Sequence, residues 1–569
     1  MEALSHDILI IGGGGAGLRA AIAIAHSYPS MKTAVVSKVY PMRSHTVAAE
    51  GGCAAVLKED DTHDLHAYDT IKGSDFLADQ DAVEAFVRDA SKEVIQVERW
   101  GCPWNREDNG RIAARWFGGM SKKRTLHAAD KTGFHLLHAL FQTSLKYDVI
   151  KRYDEWFASA LLVDDGRIGG ILAYDIRQGT FNILSAKAVI LCTGGVGRIY
   201  AFSSNAGIKT GDGAAMAYRA GAPIKDMEFI QFHPTGLIKT GILITEAARG
   251  EGAYLFNNKG ERFMERYAPT KMELAPRDIV SRSIIEEIMA GRGFDGPYGS
   301  YMHLDLRHLG EAKIMEKLPM VRELCIDFAG MDPVHEPIAI RPTMHYTMGG
   351  VHTDKDGKAP IRGLFAAGEA ACVSIHGGNR LCSNSLAEII VFGARAGKSA
   401  AEYAAQAKPP SPDKLKSLAK DKMDIIQKRY IRTENGKERI GAILSELRKM
   451  MDEKVGIYRT EEGLKDALQV VQRLKERFNR IRLTKQSKVF NTELVNAMEL
   501  DNMLDVAEVV ALGALTRKES RGGHARKDYP NRDDGNFLHH SLAYQTPQGP
   551  RLEKHPVTFT KWKPEERKY

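Results

Sequence analysis

Short unbroken apolar runs dominate the chain up to about Ala407, and a helical stripe of charged and apolar positions replaces them afterwards. Ile8-Leu9-Ile10-Ile11 is closed by Gly12-Gly13-Gly14-Gly15-Ala16-Gly17. An Ala- and Ile-rich stretch follows from Leu18 to about Tyr28, then a second apolar run from Thr33 to Lys38. Runs this short, bounded by turn residues, predict strands buried on both faces, so residues 7–38 read as strand, glycine turn, helix, strand. The figure returns at Ala188-Val189-Ile190-Leu191-Cys192-Thr193-Gly194-Gly195 and at Gly363-Leu364-Phe365-Ala366-Ala367-Gly368-Glu369. Past the Pro409-Pro410-Ser411-Pro412 boundary, the spacing predicts amphipathic helices over Lys414–Arg432, Ile443–Asp452, Thr460–Arg480 and Thr492–Leu515. Beyond about Arg521 the pattern is irregular, then strand-like at Val557-Thr558-Phe559-Thr560.

Length adds that one core is not enough: 569 residues require at least two domains. No apolar run reaches the 18 or so residues that span a bilayer, and the start lacks a secretory-signal pattern. The expected location is cytoplasmic, or docked by a partner on the cytoplasmic face of the cell membrane. Six scattered cysteines with no Cys-x-x-Cys pair argue against a disulfide framework and against a zinc or iron–sulfur site built within this chain, and no metal is expected. The net charge of +8, without a basic block, argues against nucleic acid and fits attraction of an anionic substrate or an acidic partner surface.

The first turn matches G-x-G-x-x-G at Gly12, Gly14 and Gly17, with Gly15 and Ala16 between. Missing side chains let backbone approach a pyrophosphate, and the following helix offers its N-terminal N–H groups. The second strand ends in Ser37 and Lys38, not in the acid that holds the ribose of NAD. Three returns to one cofactor over about 370 residues point to FAD, with Glu369 as the late acid, on a domain interrupted by an insertion from about Phe229 to Arg341. Soon after comes Lys38-Val39-Tyr40-Pro41-Met42-Arg43-Ser44-His45-Thr46, continuing to Gly51 and Gly52. It follows the nucleotide unit closely enough to bring His45 beside the reactive ring, where an imidazole can bond covalently to a flavin.

Polar chemistry gathers in Gln231-Phe232-His233-Pro234-Thr235-Gly236, Ile244-Thr245-Glu246-Ala247-Ala248-Arg249-Gly250, Ala275-Pro276-Arg277-Asp278, Arg341-Pro342-Thr343-Met344-His345 and His376-Gly377-Gly378-Asn379-Arg380-Leu381. A four-carbon dicarboxylate needs cations and hydroxyls at both ends. Arg380 offers a planar fork for one carboxylate, and His233, Thr245 and His345 suit the remaining groups. Hydride exchange with a flavin also needs a proton donor or acceptor on the opposite side of the substrate.

With Gly456-Ile457-Tyr458-Arg459-Thr460, Val489-Phe490-Asn491-Thr492 and Arg517-Lys518-Glu519-Ser520-Arg521-Gly522 added, the chain resembles, over nearly its whole length, the flavoprotein subunit of the succinate dehydrogenase/fumarate reductase family (respiratory complex II). The resemblance implies an α/β fold: a discontinuous Rossmann-like FAD-binding domain (1–228 and 342–405) with an inserted α+β capping domain (229–341), a helical domain (406–520) and a small C-terminal region (521–569). It implies succinate–fumarate interconversion by hydride transfer at flavin N5. His45 would be joined to the 8α-methyl of FAD. Arg277 would give or take the substrate proton, relayed by Glu246 and Arg249; His233, Thr245, His345 and Arg380 would hold the dicarboxylate. Asp212, Glu369, Ser385 and Leu386 would touch FAD. A separate iron–sulfur subunit would carry electrons to a quinone at membrane anchor subunits. An arginine acid needs nearby cations and desolvation to favour its neutral form transiently, and its stabilisation of developing negative charge is the larger expected contribution.

Cys382 and Ser383 depart from the Gly-Gly or Gly-Ser frequent in the family, and Glu50 stands where many succinate dehydrogenases have glutamine. The direction of catalysis stays open. Two competing readings are a soluble L-aspartate oxidase, which generally lacks the tethering histidine, and a non-catalytic flavoprotein assembly subunit.

Overall fold

The computed structural model describes residues 3–431, 436–485 and 487–568. At its centre is a five-stranded parallel sheet in the order Leu364–Ala366, Ala188–Leu191, Ile8–Ile11, Thr33–Ser37, Ile150–Asp154. The three apolar runs followed by glycines thus lie side by side, and each is buried along its length. Burial on both faces is what a parallel sheet demands of its central strands. The helix Gly15–Ser27 leaves the first glycine turn and packs on Asn384–Gln406. Their backbones nearly touch: a Cβ at Gly393 would stand 2.7 Å from Ala16 O, and one at Gly397 2.6 Å from Ala20 O. This packing brings the third glycine return back beside the first. A four-stranded sheet, Ala3–Ser5, Thr180–Ser185, Arg167–Asp175 and Trp156–Asp164, adds a further layer of core.

The polar segment forms a second, antiparallel sheet in the order Ile230–Leu237, Ile338–Thr347, Met302–Asp305, Tyr254–Phe256. Its register breaks twice in the first strand, between Gln231 and Phe232 and between His233 and Gly236. Pro234 cannot donate to a ladder there, and such bulges re-aim neighbouring side chains. The boundary expected at 341/342 falls inside the strand Ile338–Thr347, so the chain leaves the insertion along one continuous strand.

After the proline boundary come helices Pro412–Ile426, Ile440–Lys454, Glu461–Phe478 and Thr492–Thr516. Thr460 and Asn491 are N-caps, their side chains accepting from Gly463 and Leu494 N–H. Glu461–Phe478 buries Leu464, Ala467, Val470, Val471, Leu474 and Phe478, the single stripe its periodicity predicts. Pro412–Ile426 continues as one wide turn to Ile431, and Arg432, the expected end of that helix, lies outside the described residues.

The C-terminal expectation needs correction. Val557–Thr560 is not a strand; the hairpin lies just before it, His539–Thr546 paired with Gly549–Pro556, extending the sheet that holds Ile224–Lys225. The outer strand is largely exposed and charged, an edge whose pattern hides its strand character. The β-branched Val-Thr-Phe-Thr run is drawn elsewhere. Thr558 N–H donates to Asp79 Oδ1 at 2.7 Å and Thr560 N–H to Gln80 Oε1 at 2.9 Å, leaving no ladder to form.

Candidate active site

One elongated cavity runs from the glycine turns to the antiparallel sheet. At its nucleotide end the turn is bare of side chains for steric reasons. Gly12 has φ +116°, and a Cβ there would stand 2.2 Å from Cys192 O. Gly14 and Gly15 present backbone to the cavity, and Gly15 N–H is held by Thr46 Oγ1 at 3.2 Å. The helix starting there has no acid in its first turn, so its N–H groups and dipole are open to an anion. Gly17 differs from Gly12, Gly14, Gly15 and Ala16: it does not line the cavity. A Cβ on it would stand 1.9 Å from Gly12 O, so its bareness serves helix–strand packing. Ser37, Ser44, Ser385 and Leu386 line the walls, and the hydroxyls of Ser44 and Ser385 are buried without a partner. Lys38 and Asp212 also line it, as a bound pair at 2.7 Å, with Glu499 at 2.5 Å on the same ammonium. Burial opposes that charge, but Asp212 and Glu499 outweigh it and raise the Lys38 pKa.

Toward the other end, His45 opens the short helical turn His45–Ala48. Its Nδ1 accepts from Ala206 N–H at 3.3 Å. Burial, assisted by Lys209, holds its pKa well below the usual range, so the ring is neutral; among the described residues no hydrogen-bond partner reaches its Nε2. Gly51 and Gly52 line the adjacent wall; Gly52 has φ +146°, and a Cβ there would stand 2.4 Å from Thr125. Glu369 pairs with Lys209 and accepts from Thr347 N–H at 3.1 Å. A bare glycine turn, orphaned serine hydroxyls and a long cavity that passes a neutral imidazole fit an FAD.

Beyond His45 the cavity reaches a cluster of buried charge. Thr245 caps the one-turn helix Glu246–Gly250, which sets Glu246 and Arg249 on one face, their side chains 3.3 Å apart. Arg277 opens the helix Arg277–Met289, and its Nε donates to Glu246 Oε2 at 2.8 Å. Its Nη1 donates to Gln231 Oε1 at 3.2 Å, and Gly118 N–H donates to Glu246 Oε1 at 2.7 Å. Arg380 comes from the turn before Asn384–Gln406, lies over the Tyr346 ring at 4.7 Å, and leaves its buried Nε without a partner. His233 and His345 meet with ring centroids 5.2 Å apart. His233 Nδ1 accepts from Thr235 N–H at 3.3 Å, which puts the ring proton on Nε2, a second buried donor without a partner. His345 Nδ1 is 2.9 Å from Ser204 Oγ.

Burial depresses the pKa values of both histidines, with Arg277 the next cause, so both are neutral. Burial pushes Glu50 well above the carboxylate range, helped by Asp130, so it is protonated. Glu246 is the exception: burial works to raise it, but Arg249, Arg277 and the Cys382 hydrogen bond bring it down to about 2. Three guanidiniums against one carboxylate leave the cluster with two positive charges.

The condition placed on Arg277 is not met at rest. Burial loosens its proton, yet Glu246, charged and hydrogen-bonded to it, holds that proton in place, and its pKa is raised. The loosened guanidinium is Arg380, lowered to about 10 by burial and then by Arg277. Thr245, Glu246, Arg277, His345 and Arg380 line the cavity itself, while Arg249 and His233 stand behind Glu246 and His345. Sequence reasoning missed Gln231, Ser204, Lys209, Gly118 and the contact made by Cys382. Gln231 sits inside a motif already singled out; nothing local marks Gly118.

Two family models match the chain: an FAD binding domain over residues 7–386 and the fumarate reductase flavoprotein C-terminus over residues 444–569. The fumarate reductase flavoprotein subunit of Mycobacterium tuberculosis is 54% identical over 99% of both chains. The succinate dehydrogenase flavoprotein subunit of Rickettsia felis is 43% identical over 97% of this chain and 95% of its own. The structure of a mutated Escherichia coli quinol fumarate reductase FrdA superposes with a TM-score of 0.98 at 46% identity, covering 100% of this chain and 99% of that one.

Proposed function

Because the chain belongs to the family of fumarate reductase and succinate dehydrogenase flavoprotein subunits, we propose that it interconverts succinate and fumarate at the buried cationic cluster. It is an FAD-dependent oxidoreductase, and the α/β architecture with its Rossmann-like sheet is that of the family. The observation that carries the substrate assignment is charge. Two uncompensated positive charges in a buried cluster match a dianion, and Arg380 Nε and His233 Nε2 are donors without partners.

FAD, when bound, takes up or gives the electron pair. The glycine turn with Ser44 and Ser385 would hold its phosphates, and His45 would tether it through Nε2, the ring nitrogen left free by Ala206. Arg380, Thr245, His233 and His345 would grip the two carboxylates. Arg277 would give fumarate its proton, or take it from succinate, with Glu246 and Arg249 passing that proton toward solvent. A firmly charged Arg277 yields its proton only when a strongly basic carbon develops beside it, and until then stabilises that negative charge. The segment 229–341 would act as a cap that excludes water during turnover.

The chain's relatives are flavoprotein subunits, which supports electron exchange with another subunit of a complex. We assign that role to an iron–sulfur protein linked to quinone at membrane anchors, with this chain peripheral on the cytoplasmic face. No described helix is long and apolar enough to cross a membrane, which fits a peripheral subunit.

The test is binding by charge. Fumarate and succinate should perturb the bound-flavin spectrum, whereas monomethyl fumarate, one charge fewer, should bind on the order of 100-fold more weakly, the worth of one buried charge-assisted pair. Equal affinity for the monoester, or turnover of L-aspartate with none of succinate, would remove the assignment.

A further inference from the structure

Cys382 holds a position that the succinate–fumarate reading leaves unused. It follows Arg380 and Leu381 in the turn before Asn384–Gln406, with Ser383 next to it in the left-handed region at φ +63°. That turn aims the thiol inward. Sγ lies 2.8 Å from Glu246 Oε2, the oxygen that accepts from Arg277 Nε at 2.8 Å. Burial pushes the thiol up to about 12, so it keeps its proton and donates.

Glu246 is faced from every side by groups that bear on its charge. Arg249 approaches from its own helix, Arg277 from the helix Arg277–Met289, and His233 from the bulged strand at 4.0 Å. Gly118 N–H comes from a loop, and the turn carrying Arg380 supplies the thiol. The thiol is the only neutral side chain hydrogen-bonded to this carboxylate among the described residues. Its neighbours in the same turn, Arg380 and Ser383, line the cavity, and Arg380 Nε there lacks a partner.

We propose that Cys382 is a positioning residue for proton exchange: its S–H donates to Glu246 Oε2, draws that oxygen's charge away from Arg277, and so sets how readily the Glu246–Arg277 pair gives up and regains a proton. This rests on the reading that Glu246 and Arg277 serve the substrate's proton. The thiol touches no substrate and undergoes no covalent change. Hydrogen bonds to an ionised carboxylate favour its charged form, so losing this one makes Glu246 more basic and holds the Arg277 charge more strongly. The pH limb governed by the pair then moves upward.

Cys382→Ala and Cys382→Ser in the assembled complex test this. In Cys382→Ala the acid limb of kcat for succinate oxidation should rise by about half to one pH unit. KM should stay unchanged, and Cys382→Ser, which keeps a donor, should return the limb toward wild type. A merely structural role would move stability and leave the limb in place. An independent readout is the cysteine S–H infrared stretch. One band, absent in Cys382→Ala, should sit at the low frequency of a strong donor and rise in Glu246→Gln. An unmoved limb in Cys382→Ala, no rescue by serine, or an S–H band at the free-thiol position would overturn the proposal. Absence of succinate turnover in every form, wild type included, would instead overturn the functional reading and this role with it, whatever the S–H band shows.

Discussion

Replacing Arg277 by glutamine removes one of three buried guanidiniums and the closest cation to Glu246, which is 2.8 Å away. The net charge of the cluster falls from two positive to one, and the proposed proton donor is lost. Glu246 keeps Arg249 at 3.3 Å, the Cys382 thiol and Gly118 N–H, so its charge is not stranded. The stability cost should therefore fall below the roughly 3–5 kcal/mol of a fully broken buried pair, at about 1–2 kcal/mol. Turnover should suffer far more. A positioned general acid contributes roughly 10²–10⁴ and a preorganised charge about 10²–10³, so a loss of at least about 10⁴-fold is expected, near 5.5 kcal/mol of barrier. Arg277→Lys keeps a charge but not the fork that reaches both Glu246 and Gln231, and should also lose most activity. The assay is kcat per bound flavin, anaerobic, in both directions. If either variant keeps more than about a tenth of wild-type turnover with normal flavin content, Arg277 is not serving as the acid and the reasoning fails.

Three further outcomes follow from the same geometry. His45→Ala should still bind FAD through the glycine turn but release it on acid precipitation, where wild type retains it; retention by the variant would disprove the tether. Arg567 reaches from the C-terminal tail to Asp278, beside Arg277, at 2.6 Å and to Asp75 at 3.2 Å. Arg567→Ala should cost about 1–3 kcal/mol and lower kcat several-fold by loosening the start of the Arg277 helix, and unchanged melting and kcat would refute this. His540 lies between Asp226 at 2.6 Å and Asp79 at 3.3 Å; burial opposes its charge, but the two acids raise its pKa above 6.5. Its stabilising contribution is complete below pH 6.5 and is lost as pH rises through the elevated folded value, at about 1.4 kcal/mol per unit of elevation. Melting temperature should fall over that window in wild type and not in His540→Gln, and parallel curves would count against it.

The sheet was legible because parallel strands bury both faces: Ile8–Ile11, Ala188–Leu191 and Leu364–Ala366 carry that demand as unbroken apolar runs, and each ends in glycines where the cofactor must approach. The hairpin His539–Thr546/Gly549–Pro556 was not legible, since its outer strand faces solvent and its alternation is masked by charge. Site residues could be nominated from their motifs, but their charge states could not. Whether Arg277 is tightened or loosened depends on Glu246 lying 2.8 Å away, across 31 residues of sequence. Cys382 could be read only as an extra side chain that tightens or shifts the Arg380 end of the site; its contact with the same carboxylate is set by the fold. Contacts such as Gly118 N–H to Glu246 are made by backbone, which carries no residue-type signal.

The account stands most directly on what a four-carbon diacid does to the flavin of this chain. Succinate added anaerobically to the natively assembled protein should bleach the flavin absorbance, and fumarate should restore it, with L-aspartate and monocarboxylates leaving the spectrum unchanged. A flavin that succinate cannot reduce, or that L-aspartate reduces equally well, would contradict it.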